Sequence, residues 1–263
     1  MPSPLRRSAR RALVALSAAL VAGCATLGGA NYYSVEQEWE LGRQIEAQLA
    51  RDLRLVNDQA LTGYVRSIGE DVVRQTNASQ LPWRFYVVAD DAVNAFNVPG
   101  GLIYVNTGLI AQSGSAAELA GAIAHEVGHG VARHGTQRLS KATEANAVAG
   151  AVLGSNGNVA GRVAAQVAAQ GAFAKFSRDD EREADRLGVQ YMAGAGYDPQ
   201  GLADLLDQLA AKEKGGGVAI FRSHPLSSER MQTVQSLARS YSRRNLRMND
   251  RQFSSARSRA ARY

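Results

Sequence analysis

Apolar residues return every three to four positions through most of the chain, and the runs they form carry recognisable start and stop signals. Leu41, Ile45 and Leu49 fall at i, i+4 and i+8 behind Ser34-Val35-Glu36-Gln37, the composition of a capping box, which predicts a helix to about Leu53. Asp58 is placed to cap a second helix through Arg74, with Leu61, Val65, Ile68 and Val72 inward. The pattern then shortens. Phe85–Ala89, Ala95–Val98 and Leu102–Val105 are aromatic and β-branched runs that read as strands, the second stopped by Pro99-Gly100-Gly101. Ser115-Ala116-Ala117-Glu118 is another capping box, opening a strongly apolar helix through about Arg133. Helical spacing resumes over 178–194, 199–213 and 226–242. No internal repeat occurs, and no tetratricopeptide array in particular. Long helices around a few short strands predict an α+β fold with a small sheet.

From Ala145 to Ala174 the pattern dissolves into eleven alanines, five glycines and a single charge, Arg162. Ser155-Asn156-Gly157-Asn158 breaks the segment, so neither half reaches the roughly 20 residues a membrane span needs. Two readings stand side by side: a pair of closely packed small-residue helices, or a mobile flap or membrane-facing hairpin beside a cleft.

Charge changes the picture at both ends. The chain of 263 residues has a formal net charge of +6, but residues 1–23 hold four arginines and no acid, and Arg239–Tyr263 hold eight arginines and one acid. The body between them is mildly acidic. Residues 243–263 read as a basic, disordered tail, solvated or weakly attracted to anionic membrane surfaces. It lacks the aromatic interleaving of a nucleic-acid binder, and nucleic acid is not expected as a partner. At the other end, Arg6, Arg7, Arg10 and Arg11 precede the apolar run Ala12–Ala22, which has the length of a signal-peptide core. The run ends in Val21-Ala22-Gly23-Cys24, which resembles the bacterial lipobox. That resemblance implies a lipoprotein signal peptide over 1–23, lipidation of Cys24, a tether over 24–33 and an address in the periplasm, lipid-anchored, at the outer membrane. Cys24 is the sole cysteine, so no internal disulfide or cysteine-based metal site exists.

The chemistry concentrates at His125-Glu126-Val127-Gly128-His129. With four histidines and twelve glutamates in the chain, H-E-x-x-H arises by accident about 0.003 times. It lies inside a predicted helix, where residues at i and i+4 are only about 40° apart, so both imidazoles reach one zinc ion. Glu126 projects near the same point as a general base. A catalytic zinc needs a third protein ligand. Glu181-Arg182-Glu183-Ala184-Asp185 offers Glu181 and Asp185 on one helix face, one to bind the metal and the other to hold an imidazole by its second nitrogen. Glu183 lies about 200° from Glu181 and reads as a solvated charge. His134 reads as a helix-end residue interacting with the last carbonyls.

These motifs resemble the HtpX-like zinc metalloendopeptidases, a group that includes the Oma-type, BepA-type and CAAX prenyl proteases. The resemblance runs from about Val35 to Arg230, defining a metallopeptidase domain over 34–242. It implies Glu181 as the third ligand and Asp185 as the carboxylate behind a ligand. Asn94-Ala95-Phe96-Asn97-Val98-Pro99-Gly100-Gly101 is similar to the family's active-site edge strand, which makes Asn94, Ala95 and Phe96 substrate-binding candidates. Ser223-His224-Pro225 with Arg230 resembles a late motif facing the catalytic site, which implies catalytic roles for His224 and Arg230.

The expected activity is hydrolysis of peptide bonds in misfolded or misassembled envelope polypeptides, paired with Ala95–Val98 as an added strand, with one Zn2+ per chain. The alternative is a chaperone-like outer-membrane protein assembly factor that binds unfolded strands and cleaves little.

Overall fold

In the computed structural model, which describes residues 31–150, 162–163, 165–166, 175–213 and 218–263, the first helix begins where its caps dictate. The Gln37 N–H donates to Ser34 Oγ at 3.2 Å and the Gln37 side-chain oxygen accepts the Ser34 N–H at 2.7 Å. This reciprocal cap opens α1, Val35–Asp52, and Asp58 opens α2, Gln59–Val73, by accepting the N–H groups of Ala60 and Leu61. The signal peptide over 1–23, Cys24, most of the 24–33 tether and two thirds of the 145–174 segment lie outside the described residues.

Three strands follow: β1, Arg84–Val88; β2, Ala95–Val98; and β3, Leu102–Asn106. The sheet order is β1-β3-β2, with β1 parallel and β2 antiparallel to β3, so β2 forms an edge. The β2–β3 turn needs its two glycines, because Gly100 and Gly101 have φ of +94° and +76°. Residues alternate across the sheet. Ala95, Ile103 and Val105 join the core of α2 and the later helices, while Phe96, Val98, Leu102 and Tyr104 meet Leu41, Ile45 and Leu49 of α1. Burial of Ile45 and Leu49 stabilises this layer by about 1.5–3 kcal/mol each.

Short helix α3, Thr107–Gln112, leads to α4, Ala116–Val131, whose cap is Ser115 accepting the Glu118 N–H at 3.1 Å. Every residue of α4 up to His129 is buried, so the motif-bearing helix is the centre of the fold. The chain turns at Arg133, a non-glycine with φ of +57°, into α5, His134–Gly150. Then come α6, Arg178–Gly194; α7, Gln200–Glu213; a 3₁₀ turn, Ala219–Arg222; and α8, Ser228–Arg239. Small residues let α6 press on α4: a Cβ on Gly188 would stand 3.2 Å from the His125 backbone nitrogen. Among the described residues, no helix is long and apolar enough to cross a membrane.

The expected disorder of 243–263 is overturned. The segment folds into a 3₁₀ turn, Arg243–Asn245, and a helix α9, Phe253–Ala260. Phe253, Ala256 and Ala260, at i, i+3 and i+7, are buried on one face. Acids of the body neutralise its arginines: Asp198 meets Arg243, Asp71 meets Arg247 and Asp58 meets Arg259. It also completes the first turn of α4, since Asn249 Oδ1 accepts the Ala116 N–H at 3.0 Å and the Met248 carbonyl accepts that of Ala117 at 2.9 Å.

Candidate active site

One turn of α4 carries His125 and His129 to the same side, with their Nε2 atoms 3.1 Å apart. Glu181, in the first turn of α6, places Oε2 3.5 Å from His125 Nε2 and Oε1 3.4 Å from His129 Nε2. His224, in the turn before α8, places Nδ1 3.2 Å from His125 Nε2 and 2.9 Å from Glu181 Oε1. Donors around a tetrahedral zinc stand about 3.3 Å apart, from metal–ligand distances near 2.0–2.1 Å. These four buried residues, all of whose donor atoms lie within 4.8 Å of one another, have that spacing. Three imidazoles and one carboxylate suit zinc or a similar transition ion, not the all-oxygen preference of calcium or magnesium. The residues fit the metal.

Behind the donors stand their supports. His125 Nδ1 is 2.9 Å from Asp185 Oδ1. Arg230 donates through Nε and Nη2 to Asp185 at 2.6 and 2.9 Å, and its Nη1 lies 2.6 Å from Glu181 Oε2. Arg230, for which the resemblance implies a catalytic role, is thus engaged by the two carboxylates of α6. Burial raises the carboxyls of Glu181 and Asp185, but neighbours prevail and hold both below the usual range: chiefly His224, His125 and His129 for Glu181, and Arg230 and His125 for Asp185. Burial opposes the charged form of His125, yet Asp185 and Glu181 hold its imidazole up at about 9. Burial drives His129 well below its ordinary value.

Glu126 is 1% exposed, and among the described residues no group stands in good hydrogen-bonding geometry to either of its oxygens. Burial lifts its carboxyl above the ordinary range, against the pull of His224 and His125 and a weak contact from the Asn97 backbone. Its Oε1 is 3.4 Å from His224 Nε2. A cleft beside it is walled by Ala122, Leu205, Leu206, Leu209, Ile220 and Phe221.

The edge strand contributes differently from expectation. The Asn106 N–H donates to the Asn94 carbonyl at 3.0 Å, which makes 94 and 106 a hydrogen-bonded pair. By the alternation of an antiparallel ladder, the N–H and C=O groups of Ala95 and Asn97 then point away from β3. Among the described residues, Ala95 and Asn97 thus present the side of β2 that no strand pairs, and both are buried. The Phe96 ring, expected at the substrate, stacks on Tyr104 with centroids 5.0 Å apart in the layer under α1. Asn94 is buried at the entry to β2.

Two residues near the site were not singled out from sequence, and a third was given another role. Asn97 is one, and the period-2 alternation of β2 was the signal for it. Phe176 stacks on His129 at 4.0 Å between centroids, a contact no local pattern announces. His134 is not directed at terminal carbonyls; its Nδ1 lies 2.9 Å from His129 Nδ1. Glu183 is exposed, as its place on α6 predicts, and reaches His134 at 3.4 Å.

Among known proteins, the model described as Peptidase family M48 matches residues 59–238. The chain is 29% identical over 216 residues to the beta-barrel assembly-enhancing protease of Escherichia coli (strain K12), covering 78% of this chain and 44% of that protein. It is 28% identical over 186 residues to the mitochondrial metalloendopeptidase OMA1 of Schizosaccharomyces pombe, covering 70% and 55%. It is 27% identical over 250 residues to the metalloprotease YcaL of Escherichia coli (strain K12), covering 84% and 94%. The chain spans about half the length of the first two relatives and nearly all of the third.

Proposed function

The chain belongs to peptidase family M48, a metalloendopeptidase family, and from that premise we propose that it cleaves unfolded or misassembled envelope polypeptides in the periplasm, using one zinc ion. The observation that carries this reading is the convergence of His125, His129 and Glu181 donors beside the buried carboxylate of Glu126.

In this reading His125, His129 and Glu181 hold the ion, which when bound polarises the scissile carbonyl and makes the attacking water more acidic. Glu126 takes the proton from that water and delivers it to the leaving amine; burial, by raising its proton affinity, suits both halves of that task. Asp185 fixes His125, and Arg230 holds Asp185 and Glu181 against each other's charge. The substrate lies extended, pairing with the outward backbone of Ala95 and Asn97. The apolar wall beyond Glu126 suits the side chains that unfolded strands expose. Cys24, lipidated, tethers the enzyme to the outer membrane.

The test compares zinc-loaded and chelated protein. Zinc removal is expected to abolish cleavage of casein while leaving its binding largely intact. Undiminished cleavage by metal-free protein refutes the reading. One observation favours the second reading, a chaperone-like assembly factor: His224 Nδ1 already stands among the donor atoms, where it competes with the water that cleavage needs. Binding without any cleavage by the zinc-loaded protein, whatever the substrate, would support it.

A further inference from the structure

The two imidazoles of α4 are held from behind by different groups. His125 faces a carboxylate, Asp185, whereas His129 faces a third imidazole. That imidazole, His134, is 2% exposed and belongs to the next helix, α5. It returns to His129 only because the chain reverses at Arg133, whose left-handed backbone turns the start of α5 back onto the end of α4. Arg133 is fixed there by Glu38, which accepts from its Nε at 2.6 Å, and by the Tyr33 carbonyl, which accepts from its Nη2 at 2.6 Å. A strained turn held from two sides thus serves to place one buried ring.

We propose that His134 is a positioning residue for the metal, accepting the Nδ1–H of His129 and so fixing the tautomer that leaves His129 Nε2 free to bind the ion. This rests on the metal site proposed above. Two independent constraints give the same proton pattern. At the near end, His129 Nε2 is the atom that faces His125 and Glu181, so as a neutral ligand it carries its proton on Nδ1, pointing at His134 Nδ1. At the far end, among the described residues, His134 Nε2 faces carboxylate oxygens, Glu183 Oε2 at 3.4 Å and Asp180 Oδ1 at 3.9 Å, so it is the donor there. One proton on His129 Nδ1 and one on His134 Nε2 satisfy every nitrogen in the relay. Phe176, stacked on one face of His129, leaves the ring little freedom to turn away. The relay also gives the half-exposed carboxylate of Glu183 a use beyond solvation.

The experiment measures zinc affinity by competition with a chromophoric chelator, independently of proteolysis. His134→Phe keeps an aromatic ring in place and removes the acceptor; it is expected to bind zinc about 10–100-fold more weakly than wild type. His134→Asn sets a side-chain oxygen close to the lost Nδ1 and is expected to stay within a few-fold of wild type. A phenylalanine variant as tight as wild type, or an asparagine variant as weak as phenylalanine, overturns the proposal. Should His134→Phe fail to fold, ¹⁵N-histidine spectra of the zinc-loaded wild type decide: His129 protonated at Nδ1 and His134 at Nε2 are expected, and His134 protonated at Nδ1 overturns it. Wild-type protein that binds no zinc at all counts against the metal site itself, a different failure from unchanged affinity in the variant.

Discussion

Gly128 of α4 lies so close to Ala184 of α6 that a Cβ on the glycine would stand 2.9 Å from the Ala184 carbonyl oxygen and 3.2 Å from its Cα. Both atoms are backbone, so neither yields without moving the helix. Ala184 sits between Glu181 and Asp185, and the crossing therefore sets how far two functional carboxylates stand from two imidazoles. Gly128→Val is expected to lose about 1–3 kcal/mol of stability through overpacking and, unlike a substitution elsewhere in the core, to weaken zinc binding as well. Chemical denaturation and zinc titration of one preparation check both; full zinc affinity in a destabilised protein would separate the crossing from the metal.

Glu126→Gln keeps the size of the side chain and touches no metal-facing donor. Stoichiometric zinc with proteolysis reduced about 10²–10⁴-fold is expected, the range typical of losing a general base. Metal content by atomic absorption and cleavage of a fluorogenic peptide are the readouts. Activity near wild type in a zinc-loaded variant would remove Glu126 from the mechanism.

Asp185 and Arg230 form one unit, and their variants should fail differently. Asp185→Ala frees His125 Nδ1 and leaves Arg230 to Glu181; zinc affinity is expected to fall about 10–100-fold. Arg230→Met leaves two buried carboxylates without their cation and is expected to cost about 3–5 kcal/mol of folding stability. Thermal unfolding of the metal-free proteins distinguishes the two, since the arginine variant should be the less stable without any zinc present.

The parts of the site legible in the sequence are those written on single helices. His125 and His129, and Glu181 and Asp185, are each i, i+4 pairs, and helical geometry alone puts each pair on one face. The edge strand was legible as a strand, but which residues face the cleft depends on the hydrogen-bonding phase with β3, and Phe96 fell on the wrong side of that phase. His134 was opaque because its partner lies across a reversal set by Arg133, whose left-handed φ no composition announces in a non-glycine. In the C-terminal segment, arginine and serine content outweighed a three-residue apolar stripe whose partners lie far away in sequence.

That segment gives its own prediction. Phe253 is buried against the main core, and Phe253→Ala is expected to destabilise the protein by about 3–5 kcal/mol, which no disordered tail would do. Asp58, which caps α2 and also holds Arg259, adds a pH test. Arg259 first, then the Leu61 N–H, keep its carboxyl below the ordinary value of 3.8. A depressed folded value means the contribution is complete above the unfolded value and fades as pH falls through the folded one. Asp58→Asn should therefore lower stability at pH 7 and make little difference near pH 2. Equal loss at both values would show that charge is not what docks α9.

His224 decides whether the resting site is closed. Its Nδ1 shares the donor cluster, its Nε2 faces Glu126 at 3.4 Å, and the ring is 2% exposed. Its turn is pinned: the His224 N–H donates to the Ile220 carbonyl at 2.9 Å, and the Ser223 carbonyl accepts from Phe176 at 3.0 Å. An imidazole held there competes for the position that the attacking water needs and stands over the base that must activate that water. A second role is also chemically open, because the same ring swung aside could donate to the developing oxyanion, a contribution of about 10²–10³ in rate where it operates. The two roles predict opposite signs. With the ring at rest among the donors, His224→Ala is expected to raise the cleavage rate at equal zinc loading, while loss of one donor lowers zinc affinity. Single-turnover cleavage of a labelled peptide by protein preloaded with stoichiometric zinc separates the effects, because it takes affinity out of the comparison. A strong fall in that rate would leave His224 the catalytic role alone and remove the closed resting state.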